Sequence, residues 1–436
     1  MTRNAPTGSV TITEDGLVLR PWRPEDAEAV YRACQDPDIQ RWTTIPAPYR
    51  MEHAEGFVGT IAPQAWATES GAPFAVCDAA TGELLGSCGL VAITPSLNTA
   101  EVGYWTAPWA RGRGVAVRAT RALCRWAFRE LGLRRIIWQA EVGNHGSRLV
   151  ALRAGFRIEG RLRLAHPGRT GCDDGWIGSL LAEDLAGAHP GEPAAPQPAG
   201  TGPRAGDPSA PPPADSGAPA GDPGRPLPGG PGSLEARRAA VFGTAQPVLF
   251  ARTPAGTELR LRPLDERDLA DLVTTCQDPE TVRWTTVPDP YQPSDAEFFV
   301  HEHGPTVWRR ATGAAFAIAD DNDRFAGVME LRVSPADPLV GDLGFLVPPY
   351  ARGRGYCPAA VTAICTWGFT TLGLARIEWR ANVGNTASRR AVEKVGFVFE
   401  GTARHALNHR GTRTDAWVGS LLPGDLGLVT PARTGA

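Results

Sequence analysis

The chain has no run of about 18 consecutive apolar residues, so no membrane-spanning helix is expected. Residues 1–10 are polar and lack the apolar centre of a signal peptide. Lysine is nearly absent: of 44 Lys and Arg residues, only Lys394 is a lysine. The arginines are offset by 47 acids, and the formal net charge of −3 gives no pull toward nucleic acid or anionic lipid. No basic-aromatic stripe runs through the sequence, which argues against a nucleic-acid module. The eight cysteines are Cys34, Cys77, Cys88, Cys124, Cys172, Cys276, Cys357 and Cys365. None forms a C-x-x-C, and no Cys/His group has metal-ligand spacing, so no metal site is expected. Scattered thiols of this kind suit a reducing, cytoplasmic setting.

What the chain does have is a second copy of itself. Cys34-Gln35-Asp36-Pro37 returns as Cys276-Gln277-Asp278-Pro279, and Arg41-Trp42-Thr43-Thr44 as Arg283-Trp284-Thr285-Thr286, both 242 residues on. Ala110 to Gly114 returns as Ala351 to Gly355, now 241 residues on. Asn144, Ser147, Gly155-Phe156 and Glu159-Gly160 match Asn385, Ser388, Gly396-Phe397 and Glu400-Gly401 at that offset. A unit of this size is too long for a solenoid repeat and lies within the range of a whole domain. The division is domain 1 over 10–186, a Pro/Gly/Ala-rich disordered linker over 187–245, and domain 2 over 246–430. The linker composition is most extreme from Gly187 to Gly232, where no hydrophobic periodicity supports a packed core.

Within copy one, strands are expected at 17–21, 72–78, 84–93, 100–106, 135–140, 156–162 and 175–181. Helices are expected from Pro24 to Cys34, Met51 to Ile61, Val115 to Arg129 and Ser147 to Arg153. Copy two follows the same plan from Glu258 to Leu426. This is an α+β pattern, a mixed sheet with helices on both sides.

The most informative local feature is Arg111-Gly112-Arg113-Gly114-Val115-Ala116, between a strand and a helix, repeated as Arg352-Gly353-Arg354-Gly355-Tyr356-Cys357. It is neither the dinucleotide G-x-G-x-x-G nor a P-loop. Glycines permit a tight turn and close approach of backbone to ligand, and a helix N-terminus offers free N–H groups to an anion. Taken alone, the turn could equally be a plain arginine-bearing turn.

Its setting is more specific. The order strand, R-x-x-G-x-A, helix, strand, Asn-x-x-Ser, helix, Gly-Phe, Glu-Gly resembles the GCN5-related N-acetyltransferase (GNAT) superfamily, and within it the ribosomal-protein-alanine acetyltransferase-like (RimJ/RimL) branch. The Leu-Arg-Pro strand, the Arg-Trp after the first helix, Gly103-Tyr104-Trp105 and the last strand, Trp176-Ile177-Gly178-Ser179-Leu180-Leu181, extend the resemblance across nearly all of both copies. It implies two tandem GNAT-type domains, each a mixed, largely antiparallel sheet with a V-shaped cleft for acetyl-CoA. The pyrophosphate would rest on the backbone of 111–116 and of 352–357. Asn144 and Asn385 would contact the cofactor, and Ser147 and Ser388 would protonate the leaving thiolate; helix capping explains these residues equally well.

An ammonium cannot attack an acyl carbon, so a base is needed. The resemblance favours Glu159 and Glu400, with Glu101 and Asp342 as substrate-side or water-relay acids. A solvated strand-edge acid is the alternative for each. Arg41-Trp42 and its duplicate would border the acceptor cleft or anchor the core. The function implied is transfer of acetyl from acetyl-CoA to a primary amine, on a protein N-terminus or a small molecule, by direct attack. The alternative is an acyl-CoA-binding or interaction module with one copy or both silent. No metal, nucleic acid or membrane partner is expected, and the two copies are expected to pack as an intramolecular pseudo-dimer. Pro358, which lacks an N–H, is expected to weaken cofactor binding in copy two.

Overall fold

The computed structural model describes residues 10–168, 171–186 and 233–428. Copy one opens with a hairpin, β1 (Ile12–Glu14) and β2 (Leu17–Arg20). A 3₁₀ turn with proline in its first position leads into α1 (Ala27–Cys34). The Asp36 carboxylate then accepts from Ile39 N at 3.0 Å and, with Pro37, starts α2 (Pro37–Trp42). The Arg41-Trp42 pair therefore closes a second short helix. The expected helix from Met51 runs further than its apolar spacing suggests, as α3 (Met51–Gly56), a π-helical turn over Phe57–Ile61 and α4 (Ala62–Ala67).

Three antiparallel strands follow: β3 (Ala72–Asp78), β4 (Leu84–Thr94) and β5 (Thr99–Thr106). After the glycine turn come α5 (Val115–Glu130), β6 (Arg135–Glu141), α6 (His145–Ala154), β7 (Arg157–Gly168), β8 (Gly171–Leu180) and α7 (Ala182–Ala186).

Copy two has a lead-in that the expected linker concealed. α8 (Leu234–Phe242) is capped by the Ser233 hydroxyl and packs on its domain, with Phe242 edge-on to Trp308 at 4.7 Å. Its Arg238 is buried, donating to the carbonyls of Leu372 and Pro338. The 187–245 linker thus gives way to structure by Ser233; residues 187–232 lie outside those described. Next come β9 (Leu249–Arg252), β10 (Glu258–Arg262), α9 (Leu269–Gln277), α10 (Pro279–Trp284), α11 (Pro293–Phe298) and α12 (Gly304–Arg309). The remainder repeats copy one: β11 (Gly313–Ala319), β12 (Phe325–Val333), β13 (Val340–Leu346), α13 (Tyr356–Thr370), β14 (Arg376–Asn382), α14 (Thr386–Glu393), β15 (Val398–His409) and β16 (Thr412–Leu421).

Alternation along the strands fills two layers, because successive side chains point to opposite faces. On β3, Phe74 and Val76 join a core beneath α5 and α6, while Ala75 and Cys77 join a second core beneath α1 to α4. Copy two divides the same way, with Phe316 and Ala317 on opposite sides. Burying apolar surface here contributes about 25 cal/mol per Å². Cys124 and Cys365 lie in these cores.

Among the described residues all 16 strands form one sheet, ordered β1-β2-β3-β4-β5-β6-β8-β7-β15-β16-β14-β13-β12-β11-β10-β9. The copies join where β7 meets β15, with Gly160 opposite Gly401. A Cβ at Gly160 would stand 2.2 Å from Glu400 O, and one at Gly401 would stand 2.1 Å from Glu159 O. Only glycine lets the two strands cross this closely.

Candidate active site

The glycine turn has the form of an anion cradle in both copies. Gly112 and Gly114 have φ of +75° and +70°, and Gly353 and Gly355 have +77° and +78°. Side chains other than glycine rarely adopt that region. Nothing lies within 4 Å of a Cβ built on Gly112, Gly114 or Gly353, so the space above the turn is open. Gly114 and Gly355 cap α5 and α13, whose first N–H groups have no intrahelical partner.

The first arginine of each turn holds it to the body of its domain. Arg111 donates to Asp36 at 2.6 Å, and Arg352 to Asp278 at 2.5 Å. The same aspartates cap α2 and α10. The repeated Cys-Gln-Asp-Pro is thus the brace of the turn, a link invisible to local reading. Arg113 and Arg354 are exposed.

Beside the turn, the sheet opens. β5 and β6 are the parallel neighbours of copy one, paired only from Thr99–Arg135 to Glu101–Ile137. β13 and β14 pair only from Val340–Arg376 to Asp342–Glu378. Beyond these points the strands part and leave backbone groups unpaired on their facing edges.

The acids Glu101 and Asp342 stand at the points of parting, in different company. Glu101 sits opposite Ala92 and Ile137 and receives one hydrogen bond, from Gln139 Nε2 at 3.2 Å. Burial raises its pKa above the usual carboxylate value, and the Gln139 bond only partly opposes this. Asp342 sits opposite Arg332, whose Nε donates to it at 3.1 Å and whose Nη2 also binds it. Arg332 reaches on to Glu330 at 2.8 Å, and Glu330 to His303 at 2.9 Å. Glu378 replaces Ile137 and accepts from Arg380 at 2.8 Å and from Arg376 at 3.2 Å. Burial pushes the Glu378 pKa upward, but Arg380 and Arg376 outweigh it and hold it below the ordinary value.

Across the opening lie the Asn-x-x-Ser segments. Asn144 and Asn385 cap α6 and α14, each accepting from its serine's N–H at 3.0 and 3.1 Å. Their side-chain oxygens are therefore committed to the helix. The hydroxyls of Ser147 and Ser388 each accept from a buried tryptophan, Trp138 or Trp379, at 3.0 Å. Ser147 also lies 3.1 Å from the Tyr104 hydroxyl, which in turn contacts Ser147 O at 3.0 Å. Phe345 stands in the place of Tyr104 in copy two.

Glu159 and Glu400 line the cavity between the copies but are already tied to arginine, serine and backbone N–H groups, and the expectation that they act as bases needs correcting. Their side chains are 2% and 1% exposed. Glu159 accepts from Arg135 at 2.5 Å, Ser179 Oγ at 2.6 Å and Arg404 N at 2.7 Å. Glu400 accepts from both terminal nitrogens of Arg376, from Ser420 Oγ and from Arg163 N. Each thus ties its own domain to a backbone N–H of the other. Arg163–Asp425 and Arg404–Asp184 flank them. The Glu-Gly motif marks the junction of the copies: glycine for the close crossing, glutamate for the buried arginine.

A cavity of about 1530 Å³ runs from the copy-two turn, past Asp342 and Glu378, across the junction to Arg135, Ile137 and Gln139 of copy one. Trp284 lines it, so the repeated Arg-Trp segment borders the opening in copy two. Sequence reading missed Tyr104, Gln139, Arg332 and Arg380. The available signal was the set of positions at which the copies differ. Among the described residues no helix is long and apolar enough to cross a membrane, and no group of three or more His, Cys, Asp or Glu is arranged to hold a metal ion.

A family model described as "Acetyltransferase (GNAT) domain" matches residues 16–157 and 258–398. YdaF of Bacillus subtilis (strain 168) is 42% identical over 82 residues, 19% of this chain and 45% of that protein. The ribosomal-protein-serine acetyltransferase of Escherichia coli (strain K12) is 39% identical over 83 residues, 19% of this chain and 46% of that protein. In both, the chain spans just under half of the relative's length. Among solved structures, Mycobacterium smegmatis RimJ in complex with CoA-disulfide is 26% identical, with 39% of this chain and 83% of that one covered and a TM-score of 0.36.

Proposed function

The chain belongs to the acetyltransferase (GNAT) family, and we propose that it moves an acetyl group from acetyl-CoA to a primary amine by direct attack. The observation that carries this reading is a coincidence found in both copies. An open glycine turn at a helix N-terminus lies beside parallel strands that part after three residues. The backbone N–H groups of 112–116 and 353–357 suit a pyrophosphate, and the unpaired strand edges suit the amides of a pantetheine arm. Bound acetyl-CoA supplies the activated acetyl group.

In copy one, Glu101 takes the proton from the attacking amine. Burial raises its pKa and makes it a stronger proton acceptor than an ordinary carboxylate, and Gln139 holds it by one hydrogen bond. The nitrogen–carbon bond forms, the carbon–sulfur bond breaks, and the Ser147 hydroxyl gives its proton to the sulfur. Tyr104, within hydrogen-bond distance, can restore that proton. Copy two lacks this hydroxyl and holds its acids on arginines, so copy one is the principal seat of turnover. The same differences support a second reading for copy two alone, that it binds acyl-CoA with little turnover of uncharged amines.

The two copies act as an intramolecular pseudo-dimer, held by the reciprocal Glu159 and Glu400 contacts. The acceptor is an amine on a protein N-terminus or on a small molecule. Thiol release from acetyl-CoA with a panel of amines tests the activity: amine-dependent release supports it, and its absence with every amine rejects it.

A further inference from the structure

The buried arginines Arg135 and Arg376 occupy equivalent places at the starts of β6 and β14, and are 4% and 1% exposed. Their partners are unequal. Arg376 uses Nε for Glu378, both terminal nitrogens for Glu400, and Nη1 also for the Arg163 carbonyl. Arg135 makes one ion pair, through Nη2 to Glu159, and its buried Nε has no partner. One substitution accounts for the unpaired Nε: the position that gives Arg376 its Glu378 is Ile137 in copy one. A buried guanidinium with unused donors is costly unless something anionic completes it.

Arg135 lines the shared cavity, and so does Arg380 of copy two, close enough for the two charges to oppose each other. The Arg380 side chain is 50% exposed, and only its Nη2 is engaged, by Glu378. In copy one the equivalent residue is Gln139, so this positive pair exists once in the molecule. Two residues back along β14 lies Glu378, with Asp342 beside it. The cavity therefore holds guanidiniums and carboxylates side by side, with Arg380 and Glu378 in contact at 2.8 Å and Asp342 next to them.

We propose that Arg135 and Arg380 form an anion subsite for the acceptor, and that the copy-two cavity takes a primary amine bearing a carboxylate. The carboxylate binds between the two guanidiniums, which suit bidentate recognition of a planar anion. The amine then lies against Asp342, at the point where β13 and β14 part, beside the Glu378–Arg380 pair. The amine end rests on the acetyltransferase reading; the anion end stands on the geometry of Arg135 and Arg380.

Titration calorimetry of the full chain with 4-aminobutyrate, and with its uncharged amide, tests this without requiring turnover. The carboxylate form is expected to bind about tenfold more tightly. Arg380→Gln, which installs the copy-one residue, is expected to erase that preference. So is Ile137→Glu, which gives Arg135 the internal carboxylate that Arg376 already has. Thermal unfolding confirms that both variants are folded, and Ile137→Glu adds an ion pair rather than removing one. Equal affinity for the two probes, no binding of either, or a preference that survives both substitutions overturns the subsite. Failure of thiol release with every amine bears on the acetyltransferase reading and leaves this binding comparison intact.

Discussion

Copy one and copy two share strand order, glycine turn and capped Asn-x-x-Ser helix, yet differ where the parallel strands part. In copy one a half-buried acid faces Ala92 and Ile137, with a glutamine as its hydrogen-bond partner. In copy two the acid faces Arg332 and lies beside Glu378, itself held by two arginines. A lone buried carboxylate is pushed toward its neutral form, whereas one matched with guanidiniums is held ionised. The duplication kept the cradle and changed the chemistry facing it.

The largest expected effect concerns the junction. Removing one partner of a buried ion pair leaves an uncompensated charge, at a cost of about 3–5 kcal/mol. Glu400→Ala leaves Arg376 with Glu378, while Glu159→Ala takes from Arg135 its ion-pair partner. Both are expected to lower the unfolding midpoint, Glu159→Ala more. Equal losses by calorimetry break the asymmetry between the two arginines.

A pH comparison comes next. Burial raises the folded-state pKa of Glu101. The stability that this gives is complete below the unfolded value of about 4.3 and is lost as pH rises through the raised folded value. Glu101→Gln is therefore expected to be more stable than the parent at pH 7 and to lose that advantage near pH 3. Denaturant unfolding at the two pH values reads this; an advantage that does not change with pH contradicts the assignment.

Smaller effects test the remaining differences. Tyr104→Phe makes copy one resemble copy two and removes a hydroxyl held to Ser147, worth about 1 kcal/mol or roughly fivefold in kcat. Phe345→Tyr is expected to move copy two in the opposite direction. Unchanged rates in both variants remove Tyr104 from the proton path. Smallest is Pro358→Ala, which restores one N–H to the first turn of α13 and is expected to tighten acetyl-CoA binding at copy two by a few-fold, for roughly 0.5–1 kcal/mol. Calorimetry that finds no change assigns Pro358 no part in the cofactor site.

Much of this was legible in the sequence because it is local. The glycine turn and the helix it starts follow from residue type and order, the parted strands were implied by the family resemblance, and the repeat doubled each expectation. The D-P of Asp36-Pro37 was also a readable helix start, though the brace it makes with Arg111 spans 75 residues and is tertiary. The Glu-Gly motif misled for the same reason. Its acid looks like a strand-end base until β7 and β15 meet, and only then do its glycine and its arginine acquire partners. The roles of Arg332, Arg380 and Ile137 likewise depend on cross-strand neighbours that no single segment contains.

The central claim is that copy one, through Glu101, is the principal seat of turnover. Thiol release from acetyl-CoA with an uncharged primary amine, compared between Glu101→Gln and Asp342→Asn in the full chain, tests it most directly. Loss of a general base typically costs a factor of about 10² or more. Glu101→Gln is expected to lose about that much while Asp342→Asn retains most of the rate; the reverse order, or full activity in Glu101→Gln, contradicts the claim.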